Sequence, residues 1–188
     1  NIKFLNSNNN LQEINEKYLQ SLKKISNIKI DEETYNKMID ELKNNKFEFK
    51  INLQEQNYIN NISENKILEY LIYRYKFKEY PKKKIDTEFP IYVLIEPISS
   101  CNLKCPMCFQ SDKSFIKKEF MGKMDIDLYK KIIDECEANG TKAITFGSRG
   151  EPTTHPQIKE MLEYASGKFL DIKLITNATK LTDELIHT

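Results

Sequence analysis

Three cysteines stand close together near the middle of this 188-residue chain, and the fourth cysteine lies well away from them. Cys101, Cys105 and Cys108 follow the spacing C-x3-C-x2-C. Thiolate sulfur is the soft ligand that iron–sulfur clusters require. Three thiolates can bind three irons of a 4Fe–4S cube and leave the fourth iron open to another ligand. The spacing therefore favours a cluster of this kind.

Zinc binding and disulfide formation are two alternative roles for these cysteines. A structural zinc site usually takes four ligands in two pairs, and the other candidates, Cys136, His155 and His187, do not stand at such a spacing. Four unevenly placed cysteines in a chain without a signal peptide indicate a reducing compartment, which disfavours disulfides. Cys136 lies on the apolar stripe of a predicted helix, so we expect it to be a buried free thiol.

The elements around the cysteines alternate between strand and helix. Apolar runs predict strands at residues 91–95, 142–146 and 170–175, with helices starting after Asp125 and at Pro156. The interval between the second and third strands fits a βαβ unit, which implies parallel strands and right-handed crossovers.

Each predicted strand is followed by a loop with polar or metal-binding residues. The cysteine loop follows the first strand, residues 147–155 follow the second, and Thr176-Asn177-Ala178 follows the third. In α/β barrels the functional groups gather at this edge of the strands, so we expect the three loops to converge. Gly150 permits a close backbone approach and the Glu151 carboxylate can pair with an ammonium.

Together these motifs resemble the radical S-adenosylmethionine (SAM) superfamily, over roughly residues 89–188. Residues 149–152, Arg-Gly-Glu-Pro, are similar to the Gly-Gly-Glu-Pro motif that holds the amino group of SAM in that family. Residues 176–178 resemble its Thr-Asn-Gly turn, although Asn177 is also a common turn residue. The longer form Gly-Ser-Arg-Gly-Glu-Pro resembles enzymes that often carry a C-terminal auxiliary-cluster domain of the SPASM type. The residues that the resemblance assigns to SAM binding are Met107, Arg149, Gly150, Glu151, Pro152 and Asn177.

Two of these residues depart from the family pattern. Met107 stands where the family often has an aromatic residue near the adenine, a place that methionine can fill by soft contact. Arg149 replaces the first glycine of the motif. One hypothesis is that Arg149 forms a salt bridge with a carboxylate of the cofactor or substrate; the alternative is a surface charge.

The resemblance implies an enzyme that contains a 4Fe–4S cluster and SAM. In this family the three cysteines hold the cluster, SAM chelates the open iron, and reduced flavodoxin or ferredoxin supplies an electron. Cleavage of SAM then gives a 5′-deoxyadenosyl radical that abstracts hydrogen from the substrate, here expected to be a peptide or a small carbohydrate-like molecule. The alternative from another class is a non-catalytic zinc or iron–sulfur module.

The expected fold is α/β, an incomplete parallel (βα) partial TIM-type barrel of about three units at residues 91–188. A linker at 81–90 and a small, mostly helical module at 1–80 precede it. The module is predicted from a helix capped by Asn10, a helix opened by Asp31, a half-buried strand or extended segment at 47–53, and a helix from Ser63 that ends before Pro81. Since this family's partial barrels have six βα units, we expect the chain to be a fragment.

The composition of the chain argues against two classes of binding partner, nucleic acids and membranes. The formal net charge is +1, so the lysine run at 82–84 is weak evidence for nucleic-acid binding, and none is expected. No apolar stretch approaches the ~20 residues of a membrane span, so we expect a cytoplasmic protein that does not bind membranes. Only two of the 29 basic residues are arginines, Arg74 and Arg149, which draws attention to the second in its glycine-containing loop.

Overall fold

The computed structural model describes residues 14–187, and the chain divides into two compact units, Asn1–Asp86 and Thr87–Thr188. None of the helices in the described part of the chain has both the length and the apolar character needed to cross a bilayer.

The first unit contains four helices in its described residues. They are α1 (Glu16–Ile25), α2 (Glu32–Lys43), α3 (Leu53–Asn61) and α4 (Glu64–Lys83). Capping side chains fix three of the starts, because Asn15, Asp31 and Asn52 each accept a hydrogen bond from a backbone N–H of the first turn. Arg74 of α4 donates from Nε to the Glu55 carboxylate of α3 at 2.7 Å.

Helix starts in this unit differ from the sequence-based expectation at two places. The predicted cap Asn10 lies outside the described residues, and α1 begins only at Glu16. Residues 47–51 form the extended alternative of the predicted segment, with Phe49 buried and its ring edge-on to that of Tyr75. The strand alternative is wrong because residues 46–52 form no strand, and the last residue of the predicted segment, Leu53, already begins α3. Asn52 and Glu55 form a capping box at this start, which was not predicted.

Pro81 does not end the preceding helix, so the prediction that this helix ends before Pro81 is wrong. Helix α4 continues to Lys83, and Lys84 adopts a left-handed conformation with φ 52°. A proline two residues from a helix end removes one backbone hydrogen bond at most. Packing holds the last turn, since the buried Tyr80 hydroxyl lies 2.8 Å from Thr34 Oγ1 and Ile85 N donates to Tyr80 O.

The second unit is built on one parallel sheet. Its strands β1 (Tyr92–Ile95), β2 (Ala143–Phe146) and β3 (Asp171–Leu174) lie in the order β1-β2-β3. Helices α5 (Ile126–Ala138) and α6 (Ile158–Ala165) connect them, and α7 (Asp183–Ile186) follows β3. The predicted α/β class, an incomplete set of parallel βα units, is confirmed.

Helices α5 and α6 pack on one face of this sheet. The Tyr129 hydroxyl of α5, fully buried, donates to Met161 O of α6 at 2.6 Å. The core on this face consists of Ile95, Tyr129, Ile133, Ile144, Phe146, Ile158, Met161 and Ala165. On the opposite face Leu94 is 49% exposed, so the apolar run of β1 is not buried on both sides. Alternate residues of a strand point to opposite faces, and only one face of β1 meets the helices.

Candidate functional site

The carboxyl ends of the three strands stand level at one edge of the sheet. Ile95, Phe146 and Leu174 are register partners across β1, β2 and β3. The chain leaves this edge in three loops: residues 96–123, which we call the cysteine loop, residues 147–157, the second loop, and residues 175–182, the third loop. The three loops therefore lie at the same edge of the sheet, as expected.

The cysteine loop presents three free thiols to one pocket. Cys101 and Cys108 are partly buried and Cys105 is exposed. All three line a pocket of about 450 Å³, together with Lys104 and Lys113. Cys136 lies apart from them on α5 as a buried free thiol, as predicted, and burial raises its pKa.

The donor set of this pocket fits the cluster that the spacing predicts. Three thiols on one loop supply the soft sulfur ligands of a 4Fe–4S cube. Among residues 14–187, no three His, Cys, Asp or Glu side chains are placed to bind a single metal ion together. A cube takes each thiolate on a different iron, so its three sulfurs need not converge on one point.

The second loop lies directly against the backbone of the cysteine loop. A Cβ at Gly150 would stand 1.9 Å from Ile98 O and 2.7 Å from Ser100 O, so this place admits only glycine without a shift of the backbone. The next residue, Glu151, donates its N–H to Ser100 O at 2.9 Å. The glycine of the Gly-Glu-Pro motif thus lets the two loops touch just before Cys101.

The Glu151 carboxylate ties the second loop to the third. It is 3% exposed, and Oε1 accepts from Thr153 N at 3.0 Å and from Thr176 Oγ1 at 2.6 Å, while Oε2 accepts from Asn177 N at 2.7 Å. Burial alone would raise the pKa of Glu151, but these hydrogen bonds outweigh it and lower the pKa below its usual value. Glu151 is therefore an ionised carboxylate that holds two loops together.

Arg149 pairs with a carboxylate of the chain itself. Its Nε lies 3.0 Å and 3.1 Å from the two oxygens of Glu96, the residue after β1, and its backbone N–H donates to Glu96 Oε2 at 3.0 Å. Burial would raise the pKa of Glu96, yet the contacts with Arg149 and Ser148 lower it. Ser148, with φ 98°, makes the turn that directs Arg149 to this partner. The guanidinium of Arg149, whose side chain is 40% exposed, thus pairs with Glu96, a carboxylate of the protein that neither the hypothesis nor its alternative named.

The remaining predicted residues occupy different parts of the edge. Met107 lies on the cysteine loop and is 87% exposed. Pro152 is buried and starts the short 3-10 turn Pro152–Thr154. Asn177 contacts the cysteine loop, with Nδ2 3.8 Å from Cys101 Sγ. His155 is buried, and since its Nδ1 accepts from Gln157 N, its Nε2–H donates to Met124 O.

Four residues of this network were not singled out from the sequence: Glu96, Asn102, Thr153 and Thr179. Each is polar and stands within a few residues of a strand end or of a motif. That position in the sequence could have identified them as candidate site residues. Their partners lie up to 77 residues away in the chain, as with Asn102 and Thr179, so only the fold reveals which contacts they make.

Known proteins resemble the part of the chain that contains these three loops. The family model described as the Radical SAM superfamily matches residues 95–188. The tungsten-containing aldehyde ferredoxin oxidoreductase cofactor-modifying protein of Pyrococcus furiosus is 38% identical over 96 residues, 50% of this chain and 26% of that protein. The PqqA peptide cyclase of Bradyrhizobium diazoefficiens is 34% identical over 50% of this chain and 24% of that protein.

Other relatives show similar coverage. The mycofactocin maturase MftC of Mycobacterium tuberculosis is 32% identical over 51% of this chain and 23% of its own length. Among solved structures, Streptococcus suis SuiB bound to precursor peptide SuiA has a TM-score of 0.46 and 18% identity, covering 95% of this chain and 40% of that chain. The chain thus spans about a quarter of the length of the curated relatives it matches.

Proposed function

This chain belongs to the radical SAM superfamily, whose members are enzymes that bind a 4Fe–4S cluster and S-adenosylmethionine, and we propose that Cys101, Cys105 and Cys108 bind that cluster here. The observation that carries the proposal is that the three free thiols line one pocket, on the loop against which Gly150 packs. A reduced 4Fe–4S cluster supplies the electron that cleaves SAM. The alternative, a non-catalytic zinc or iron–sulfur module, leaves the Gly-Glu-Pro contact with the cysteine loop unexplained.

The second and third loops are the proposed SAM-binding surface of this protein. Gly150 brings the second loop to the pocket edge, and Pro152 fixes the turn that follows it. Glu151 Oε1 accepts three hydrogen bonds and Oε2 accepts one, which leaves capacity on Oε2 for an ammonium donor. Arg149 and Asn177 hold these loops in place, and Met107 supplies an exposed apolar side chain.

We infer a peptide substrate for the whole protein. Relatives that match the same residues include proteins named as a peptide cyclase and as a bacteriocin biosynthesis protein. Residues 91–188 then form the first part of the catalytic domain, and the helices α1 to α4 belong to a separate module. We propose a flavodoxin or ferredoxin as electron donor, because Lys104 and Lys113 on the pocket wall attract an acidic partner.

Anaerobic reconstitution tests the proposed cluster. The chain is incubated with iron and sulfide and reduced, and electron paramagnetic resonance (EPR) spectra are recorded with and without SAM. We expect a reduced 4Fe–4S signal that changes when SAM is added. Cys105→Ser should lose the signal, whereas the matched variant Cys136→Ala, at the cysteine buried in α5, should keep it. Zinc uptake, or a cluster indifferent to SAM, would contradict the proposal.

A further inference from the structure

We propose that Asn177 raises the reduction potential of the cluster by donating a hydrogen bond to the sulfur of Cys101. The inference rests on the proposed function, since it takes Cys101 to be a cluster ligand. It gives Asn177 a task that neither a turn residue nor a SAM contact would have.

Cys101 Sγ accepts two hydrogen bonds in this structure. The backbone N–H of Leu103 donates to it at 3.4 Å, within the cysteine loop. The side-chain amide of Asn177 donates from the third loop, with Nδ2 3.8 Å from the sulfur. The first donor comes with the loop, whereas the second depends on one side chain and can be removed by substitution.

The partners of Asn177 fix which end of its amide faces the sulfur. Oδ1 accepts from Thr179 N at 3.0 Å and from Thr179 Oγ1 at 2.7 Å. A flipped amide would place its NH2 group against the Thr179 N–H, so the network assigns Nδ2 to the side of Cys101. The backbone of Asn177 is also anchored, because its N–H donates to the buried Glu151 carboxylate.

Three side chains complete a closed ring of hydrogen bonds next to the sulfur. Asn102 Nδ2 donates to Thr179 Oγ1 at 2.7 Å, Thr179 Oγ1 donates to Asn177 Oδ1, and Asn177 Nδ2 donates to Asn102 Oδ1 at 3.1 Å. All donors of the ring point the same way around it, so each bond polarises the next. The second N–H of the Asn177 amide remains for Cys101 Sγ, and the ring makes it a better donor.

The direction of the effect follows from charge. Reduction adds one negative charge to the cluster and its thiolates, and a hydrogen bond to a ligand sulfur stabilises that charge. The Asn177 amide therefore favours the reduced state and raises the potential. Removing the amide should make the cluster harder to reduce while leaving its three ligands intact.

The test is a redox titration of the reconstituted chain without SAM, with dithionite as reductant and the EPR signal as readout. In Asn177→Leu we expect the ratio of reduced to oxidised cluster at a fixed solution potential to fall about tenfold, equivalent to about 59 mV for one electron. Thr179→Val, which breaks the ring but keeps Asn177, should shift the potential in the same direction by less. Thr179→Ser, which keeps the hydroxyl, should match the original chain.

The outcomes separate this inference from the proposed function. A cluster that responds to SAM but has the same potential in Asn177→Leu and Thr179→Val overturns the inference alone. If Asn177→Leu takes up no cluster, the inference is tested by comparing Thr179→Val with Thr179→Ser. Equal reduction potentials in those two variants overturn the inference. If the original chain forms no cluster, both proposals fall.

Discussion

The contact of Gly150 with the cysteine loop leads to a prediction that does not depend on any cofactor. In Gly150→Ala the new Cβ would lie 1.9 Å from Ile98 O, whereas Cβ atoms essentially never approach another atom closer than 3.0 Å. The backbone of one loop must therefore move by more than 1 Å. The move would also stretch the hydrogen bond from Glu151 N to Ser100 O, now 2.9 Å long.

The loss of unfolding free energy should be that of a side chain overpacked against backbone atoms. Such a clash costs about 1–3 kcal/mol. Replacing glycine by alanine also restricts the unfolded chain, which returns about 0.4–1 kcal/mol. Gly122→Ala is the matched control, because its new Cβ would have no atom within 4 Å and its φ is outside the left-handed region. Comparison of the two variants cancels the unfolded-chain contribution and leaves the clash.

Hydrogen exchange in rising urea measures this difference, followed by mass spectrometry on peptides that cover the strands β2 and β3, residues 143–146 and 171–174. These peptides report the free energy of unfolding of the second unit alone, which matters because the chain has two compact units. We expect the free energy of unfolding of Gly150→Ala to be about 1–3 kcal/mol below that of Gly122→Ala. Equal values for the two variants would refute the close contact.

Three further predictions concern single contacts. Arg149→Lys keeps the charge but loses the fork that reaches both oxygens of Glu96, so amide hydrogen exchange of residues 147–155 should become faster. An unchanged exchange rate would show that the Arg149–Glu96 contact does not hold this loop in place. Glu151→Gln should destabilise the chain by about 1–3 kcal/mol at pH 7, because the amide's NH2 group faces donors. Since the pKa of Glu151 is lowered on folding, its stabilisation is complete above about pH 5 and is lost as the pH falls through the folded value. The difference in unfolding free energy between Glu151→Gln and the original chain, measured for the second unit by hydrogen exchange in urea, should therefore become smaller in acid. Tyr129→Phe removes the hydrogen bond to Met161 O and should lower the free energy of unfolding by about 1–2 kcal/mol in the same assay, with no dependence on pH between 5 and 8.

Local patterns in the sequence predicted the parts of the site that are local in the chain. The spacing of the three cysteines and the position of each loop after a strand follow from short stretches of residues. The parallel sheet then brings those loops together at one edge, as expected. The free, buried state of Cys136 was also predictable, because helical periodicity alone places it on the inner face of α5.

Contacts between distant residues were not predictable in the same way. Glu96 and Arg149 are 53 residues apart, and their pairing depends on the register between β1 and β2. The ring of Asn102, Asn177 and Thr179 depends on how two loops fold over each other. In the helical unit, tertiary packing of Tyr80 outweighs the usual effect of Pro81. The capping box that begins α3 is, by contrast, a local pattern that Asn52 and Glu55 show in the sequence itself.

The ion pair between Arg149 and Glu96 has a counterpart in the first unit. Together the two pairs indicate which positions of this sequence cannot exchange arginine for lysine. The other arginine, Arg74, also contacts a glutamate by more than one N–H, because its Nε and Nη2 both reach Oε1 of Glu55, 19 residues away in the chain. All remaining basic residues are lysines. A compositional drift from arginine to lysine would be neutral at most surface positions, where one solvated charge serves as well as another. We expect related sequences with the same lysine bias to keep arginine at these two positions, each with its glutamate, because a lysine could not present two N–H groups from one rigid plane.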